Sequence, residues 1–77
     1  MKVRYDEEAN ALYIKLQERR YYESDEIQDG FIIDYDVEGN VIGIEILDVD
    51  KYLTVSDLAT VNFEVNRRLT PAERVSA

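Results

Sequence analysis

Large apolar side chains alternate with polar ones at the start of the chain: Val3 and Tyr5, then Leu12, Ile14 and Leu16, with Arg4, Asp6, Tyr13 and Lys15 between them. A period of two is that of a half-buried strand. The polar stretch Glu7-Glu8-Ala9-Asn10 separates the two runs and predicts a hairpin. Closure around Glu8 and Ala9 sets Tyr5 opposite Leu12 and Val3 opposite Ile14, which gathers the large aliphatics on one side. Glu18-Arg19-Arg20 is a polar turn, Tyr21 to Ile27 a third and mostly polar strand, and Gln28-Asp29-Gly30 a further turn.

The strongest pattern follows. Phe31-Ile32-Ile33-Asp34-Tyr35-Asp36 and Val41-Ile42-Gly43-Ile44-Glu45-Ile46-Leu47 flank Val37-Glu38-Gly39-Asn40. Two β-branched runs around an acidic-glycine pair predict a hairpin with Glu38-Gly39 as a two-residue loop and Gly39 at positive φ. In that register Tyr35 pairs with Ile42, Ile33 with Ile44 and Phe31 with Ile46. A three-residue loop ending in a glycine bulge sets Asp34 opposite Ile42 instead. Burying an unpaired carboxylate is costly, which favours the first register.

After Leu47 the alternation stops. Thr54-Val55-Ser56-Asp57 resembles a capping box with Asp in the place of Glu, and Leu58 and Val61 stand three apart behind it, so one or two helical turns are expected near Ser56–Thr60. Val61-Asn62-Phe63-Glu64-Val65 alternates again, as a last strand or a helix continuation. Thr70-Pro71-Ala72-Glu73 has a helix-start signature but too few residues behind it to hold a free helix, so residues 66–77 are expected to form a frayed tail on a single domain of residues 1–65.

Composition narrows the chemistry. The 77 residues contain neither cysteine nor histidine, which removes disulfides and the usual zinc, haem and iron–sulfur ligands. A domain this small ordinarily needs such a staple or a partner subunit, so a homodimer is expected. The start of the chain has no apolar h-region and no run long enough to span a membrane, which sets the expectation of a cytoplasmic protein. The net charge is −8, and between Tyr21 and Asp50 there are ten acidic residues and no basic one. That field disfavours nucleic acid at the main body and suits a basic protein partner, with Asp34, Asp36, Glu45 and Asp48 as the contact candidates.

Val3-Arg4-Tyr5-Asp6, Ala11-Leu12-Tyr13-Ile14, Asp34-Tyr35-Asp36 with Glu38-Gly39, and Val41-Ile42-Gly43-Ile44-Glu45-Ile46-Leu47 together resemble the YuzE-like family of small bacterial and archaeal proteins. The resemblance covers roughly residues 1–53 and implies a β-meander with a helical addition. It implies no agreed activity. Some members sit beside small toxin-like proteins, which points to an antitoxin-like or partner-binding role. Glu38-Gly39 replaces the family's common Asp-Gly turn, and Asp6-Glu7 its Asp-Pro connection.

Three motifs compete with plainer explanations. Asp34, Asp36, Glu38, Gly39 and Glu45 fall at positions one, three, five, six and twelve of a calcium-loop pattern, although position five carries Glu. Such a loop lies between helices, whereas these flanks alternate as strands. In a hairpin Glu45 stands opposite Ile32, away from Asp36, so no calcium site is expected. Asp34 and Glu45 share the outer face two residues out of register and suggest a carboxylate-only acid–base enzyme. A small sheet offers little concavity to organise one, and a solvated acidic face is the simpler account. Six tyrosines and two phenylalanines suggest a base-stacking platform, but Arg67, Arg68 and Arg74 lie far along the chain from Tyr13, Tyr21 and Tyr22, and packing of the rings is the simpler account. No serine has a histidine base, and no glycine-rich phosphate loop is present.

The sequence therefore predicts a β-dominated α+β domain: an antiparallel β-meander of about five strands with one short helix near the C-terminus. It assigns no catalytic residue, cofactor or metal. Its apolar face (Val3, Tyr5, Leu12, Ile14, Leu16, Phe31, Ile33, Tyr35, Ile42, Ile44, Ile46) needs cover, from Leu53, Leu58, Val61 and Phe63 or from a second copy. The expected role is a protein-interaction module, antitoxin-like, or a homo-oligomer, with an enzyme or a purely structural domain as the alternatives.

Overall fold

The computed structural model describes residues 1–67. Five strands form one antiparallel sheet: β1 (Lys2–Asp6), β2 (Ala11–Lys15), β3 (Glu23–Gln28), β4 (Phe31–Tyr35) and β5 (Val41–Leu47), followed by a 3-10 turn at Val49–Lys51 and α1 (Val55–Leu58). Their order across the sheet is β1-β2-β5-β4-β3. A hairpin (β1–β2) and a three-strand meander (β3–β4–β5) are thus joined by β5 pairing with β2. The strand-dominated α+β fold expected from the alternation is the fold observed.

The first hairpin closes as expected, with Val3 opposite Ile14 and Tyr5 opposite Leu12. Asp6 holds the turn by accepting a hydrogen bond from the Ala9 amide at 3.1 Å, and Asn10 takes the left-handed conformation that its short polar side chain tolerates. Asn10 also ties this loop to the 3-10 turn. Its Nδ2 donates to Asp50 Oδ1 at 2.7 Å, and its carbonyl accepts from the Val49 amide at 3.1 Å. Val49 is completely buried there.

The second hairpin corrects part of the expected register. Phe31 pairs with Ile46 and Ile33 with Ile44, as alternation requires, but Asp34 faces Gly43 and Tyr35 faces Val41. The loop is three residues long, Val37-Glu38-Gly39, closed by the Asp36 amide donating to the Asn40 carbonyl and by the Gly39 amide donating to the Asp36 carbonyl. Gly39 has φ 85°, the left-handed state that glycine adopts freely. The turn won locally and the apolar pattern won beyond it. The single extra residue is absorbed as a β-bulge at Ile42, which is only 2 % exposed. The Ile42 carbonyl then accepts hydrogen bonds from both Leu16 and Gln17.

At the C-terminal side the capping box forms in full. The Thr54 hydroxyl accepts from the Asp57 amide at 3.1 Å, and the Asp57 carboxylate accepts from the Thr54 amide at 2.9 Å. The helix it opens is shorter than Ser56–Thr60 suggested, ending at Leu58. Val61 to Val65 forms neither strand nor helix, so its alternation is not realised as strand pairing. Residues 66 and 67 are irregular, and the rest of the expected tail lies outside the described residues. Among the described residues no helix is long and apolar enough to cross a membrane.

Candidate functional site

The register divides the sheet into two unlike faces. One carries the row Val3, Ile14, Ile44, Ile33 and the row Tyr5, Leu12, Ile46, Phe31, which end on the edge strand β3 at Asp25 and Gln28 respectively. Tyr52 lays its ring against Phe31, centroids 5.3 Å apart. Leu53, Leu58 and Val61 border a groove with Val3, Tyr5, Leu12 and Ile14. This cover is thin. Of all the described apolar residues only Ile42 and Val49 are buried, and Val3 and Tyr5 stay exposed.

The opposite face is polar and more organised than a solvated acidic surface. Cross-strand pairing lines up Arg4, Tyr13, Glu45 and Ile32 in one row, and Lys15, Gly43, Asp34 and Ser24 in the next. Asp34 is only 3 % exposed. Its Oδ1 accepts a 2.7 Å hydrogen bond from Ser24 Oγ, which is itself 2.7 Å from the Tyr21 hydroxyl. Glu45 stands diagonally across the β4–β5 pair from Asp34 and lines the same groove. Burial, then Asp34, raises the Glu45 pKa above its usual value. Burial and Asp34 likewise raise that of Tyr13. Tyr13 lies across Gly43, so closely that a Cβ on that glycine would stand 2.5 Å from the phenol oxygen. These groups line an open groove of about 560 Å³ together with Arg4, Asp6, Ala9, Ala11, Leu12 and Leu47.

The four acidic contact candidates therefore separate. Asp34 and Glu45 both line the groove, but Asp34 is buried rather than presented to solvent. Asp36 is only 5 % exposed and serves the hairpin turn. It accepts from the amides of Glu38 and Asn40 and from Asn40 Nδ2 at 2.8–3.0 Å, with Arg19 Nη1 3.7 Å away. Those bonds, the Asn40 side chain first, hold its pKa below the usual carboxylate value. Both carboxylates are turned inward rather than presented at the surface: Asp34 accepts from Ser24 Oγ, and Asp36 satisfies its own turn. Asp48 alone of the four is exposed, in a left-handed conformation with its carboxylate 3.9 Å from Lys51 Nζ. The calcium-like spacing is realised as a hairpin: Asp36 satisfies the turn, and Glu45 faces Ile32. Among the described residues no three potential metal ligands converge.

Tyr13, Tyr21, Ser24 and Arg4 join the site without a motif to announce them, because the β2–β5 and β3–β4 pairings that assemble them are long-range. One local signal does exist. A glycine within a β-branched run marks close approach by another group, and Gly43 is where Tyr13 crosses.

Residues 2–49 match a family described as protein of unknown function (DUF2283). The chain belongs to this family. The match takes in all five strands and stops at the buried Val49, so both faces of the sheet are family structure, while residues 50–67, which cover part of the apolar face, lie beyond it. No curated protein and no solved structure matches the chain.

The raised Glu45 pKa has a consequence for this family member's stability. A carboxyl whose pKa is higher in the folded than in the unfolded chain contributes stability below the unfolded value, and that contribution is lost as pH rises through the folded value. Glu45 therefore makes the fold less stable as pH rises above the ordinary glutamate range. Glu45→Gln is expected to raise the melting temperature at about pH 7–8 and to flatten its dependence on pH above about 4.5. Thermal melts of both proteins across that interval check this. An unchanged slope would show that the Asp34–Glu45 pair carries no repulsion.

Proposed function

We propose that the protein is an interaction module that pairs with a second copy of itself through its apolar face. The observation carrying this reading is that Ile42 and Val49 are the only buried apolar residues among those described. Eight large side chains on one face remain partly or wholly in water, and each gains up to about 1.5–3 kcal/mol from complete burial.

A second copy fits this face better than an unrelated protein does. A two-fold axis sets the apolar stretches of β1, β2, β5 and β4 against each other, with Asp25 only at the β3 end of one row, so the surface is complementary to itself. Asp34 and Glu45 lie on the opposite face, and the exposed carboxylates of β3 lie at the far edge of the sheet, so pairing keeps much of the −8 charge apart. The chain has neither disulfide nor zinc ligands to offset its small core.

Light scattering after size exclusion is expected to give twice the chain mass at micromolar concentration, with a melting temperature that falls on dilution. Ile14→Glu, in the middle of the apolar face, is expected to shift the species to monomer and lower its stability. A monomer mass over a wide concentration range, with a melting temperature independent of dilution, would overturn the proposal.

A further inference from the structure

The sheet is open, with β1 and β3 as its edges, and the two edges are unlike. An edge strand leaves a row of amides and carbonyls free to pair with another strand, and carboxylates or bulges blunt it. β3 is blunted in both ways. Glu23 and Asp25 lie on its apolar side, opposite Tyr35 and Ile33, and its pairing slips between Glu26 and Gln28. A strand added there sets apolar side chains against carboxylates. β1 pairs without a slip and has no acid on its apolar side, where Val3 and Tyr5 stand, while Lys2, Arg4 and Asp6 alternate on the other.

Strand alternation fixes which backbone groups of β1 face outward. The Leu16 amide donates to the Ile42 carbonyl at 2.8 Å, toward β5. Every second residue of a strand turns its amide and carbonyl to the same side, so Leu12 and Ile14 also bond β5, and Tyr13 and Lys15 bond β1. Their partners Arg4 and Lys2 bond back to β2. The amides and carbonyls of Val3 and Tyr5 therefore point away from the sheet, and among the described residues neither makes a backbone bond outside it. Their side chains, 42 % and 38 % exposed, have area left to bury.

We propose that β1 pairs antiparallel with β1 of a second copy, across a two-fold axis through Arg4, joining two sheets edge to edge. The segment Lys2-Val3-Arg4-Tyr5-Asp6 is complementary to itself in this register. Val3 exchanges both backbone bonds with Tyr5 of the second copy, and Lys2 stands opposite its Asp6 as an opposite-charge pair. Arg4 meets Arg4 at the axis, with Asp6 of the second copy diagonal to it. Moving the axis to Val3 sets Lys2 against Arg4, and moving it to Tyr5 sets Val3 against Glu7, which belongs to the turn. The acidic β3 edges go to the two far ends of the joined sheet, so the net charge opposes the contact least at this edge. This edge is a different surface from the apolar face, and its pairing does not depend on face pairing. One strand pair buries less than a stable interface needs, so the edge contact forms at higher concentration than the face contact.

Amide hydrogen exchange of the full chain, read by NMR at millimolar and at micromolar concentration, tests this. The Val3 and Tyr5 amides are expected to be protected at the higher concentration and to exchange freely at the lower, while the Arg4 amide, bonded to β2, is protected at both. Val3→Pro removes one outward amide and leaves the β1–β2 bonds in place. It is expected to abolish protection of Tyr5 at millimolar concentration, with Arg4 reporting that the strand still forms. Lys2→Glu, an exposed change, sets like charges opposite each other and is expected to weaken edge pairing by about fivefold or more. Ile14→Glu, which opposes face pairing, is expected to leave the protection of Val3 and Tyr5 at millimolar concentration, so the two contacts fail separately. Free exchange of Val3 and Tyr5 at both concentrations would overturn the proposal. So would protection that ignores concentration, which assigns the edge to another segment of the same chain, and protection that Ile14→Glu removes from a folded protein, which assigns it to the face.

Discussion

Replacing Asp36 by alanine is expected to lower the unfolding midpoint by roughly 10 °C or more, a large effect for a domain of this size. Asp36 accepts three hydrogen bonds within its own hairpin, from the amides of Glu38 and Asn40 and from the Asn40 side chain, and Arg19 stands beside it. Alanine leaves those donors at the tip of the hairpin without their acceptor. Asn retains one carbonyl oxygen and loses the charge, so Asp36→Asn is expected to fall between wild type and Asp36→Ala. The acid dependence separates this from a simple packing defect. The Asp36 pKa is lowered in the folded chain, so its contribution is present above the unfolded value near 3.8 and is lost as pH falls through the folded value. The alanine variant should therefore lose less stability than wild type on acidification below about pH 4, while Asp57, whose pKa the Thr54 amide and hydroxyl lower, keeps part of the acid limb in both. Melts that coincide at every pH would show that the turn holds without its carboxylate.

The same hairpin shows what the sequence can and cannot specify. Alternation sets which residues face each other along a strand, and it placed Val3 with Ile14, Ile33 with Ile44 and Phe31 with Ile46 correctly. It does not set loop length, because a bulge corrects an added residue at little cost to the pattern beyond it. The three-residue loop was disfavoured on the argument that it strands Asp34 opposite Ile42. Slipping Ile42 out of the ladder removes that objection and brings Asp34 to Gly43 instead.

The site was less legible than the fold, for a related reason. Asp34 and Glu45 belong to one hairpin, so their shared face could be read locally. Their burial could not, because it depends on β2 and β3 flanking that hairpin with Tyr13 and Ser24. A two-stranded hairpin leaves both acids in water. A five-stranded sheet withdraws Asp34 from solvent and sets the pair under a tyrosine, where two carboxyls become an electrostatic problem for the chain. The Asp57 capping box and the Gly39 conformation were legible because both are local.

Gly43→Val is expected to destabilise the fold by about 1–3 kcal/mol and to abolish the groove. The backbone at Gly43 is not in the left-handed region, so the penalty is one of space. A Cβ there falls 2.5 Å from the Tyr13 oxygen, 3.0 Å from Cζ and 3.2 Å from Cε2, and valine adds two methyls to that volume. Tyr13 sits on β2 between β1 and β5, so its ring leaves Gly43 only by rotating into the groove or over the β1 edge. Either movement takes the phenol wall away from Asp34 and Glu45. Because the clash has one partner, shortening that partner should relieve it. Tyr13→Thr keeps a strand-forming residue and empties the space above Gly43, so the double variant is expected to be more stable than the sum of the two single losses predicts. A positive coupling energy of at least 0.5 kcal/mol or so in a double-mutant cycle, measured by denaturant melts, is the expected result. Strict additivity would mean that Gly43 is required for the bulge at Ile42 rather than for Tyr13, and the close approach of that ring would then be incidental to the fold.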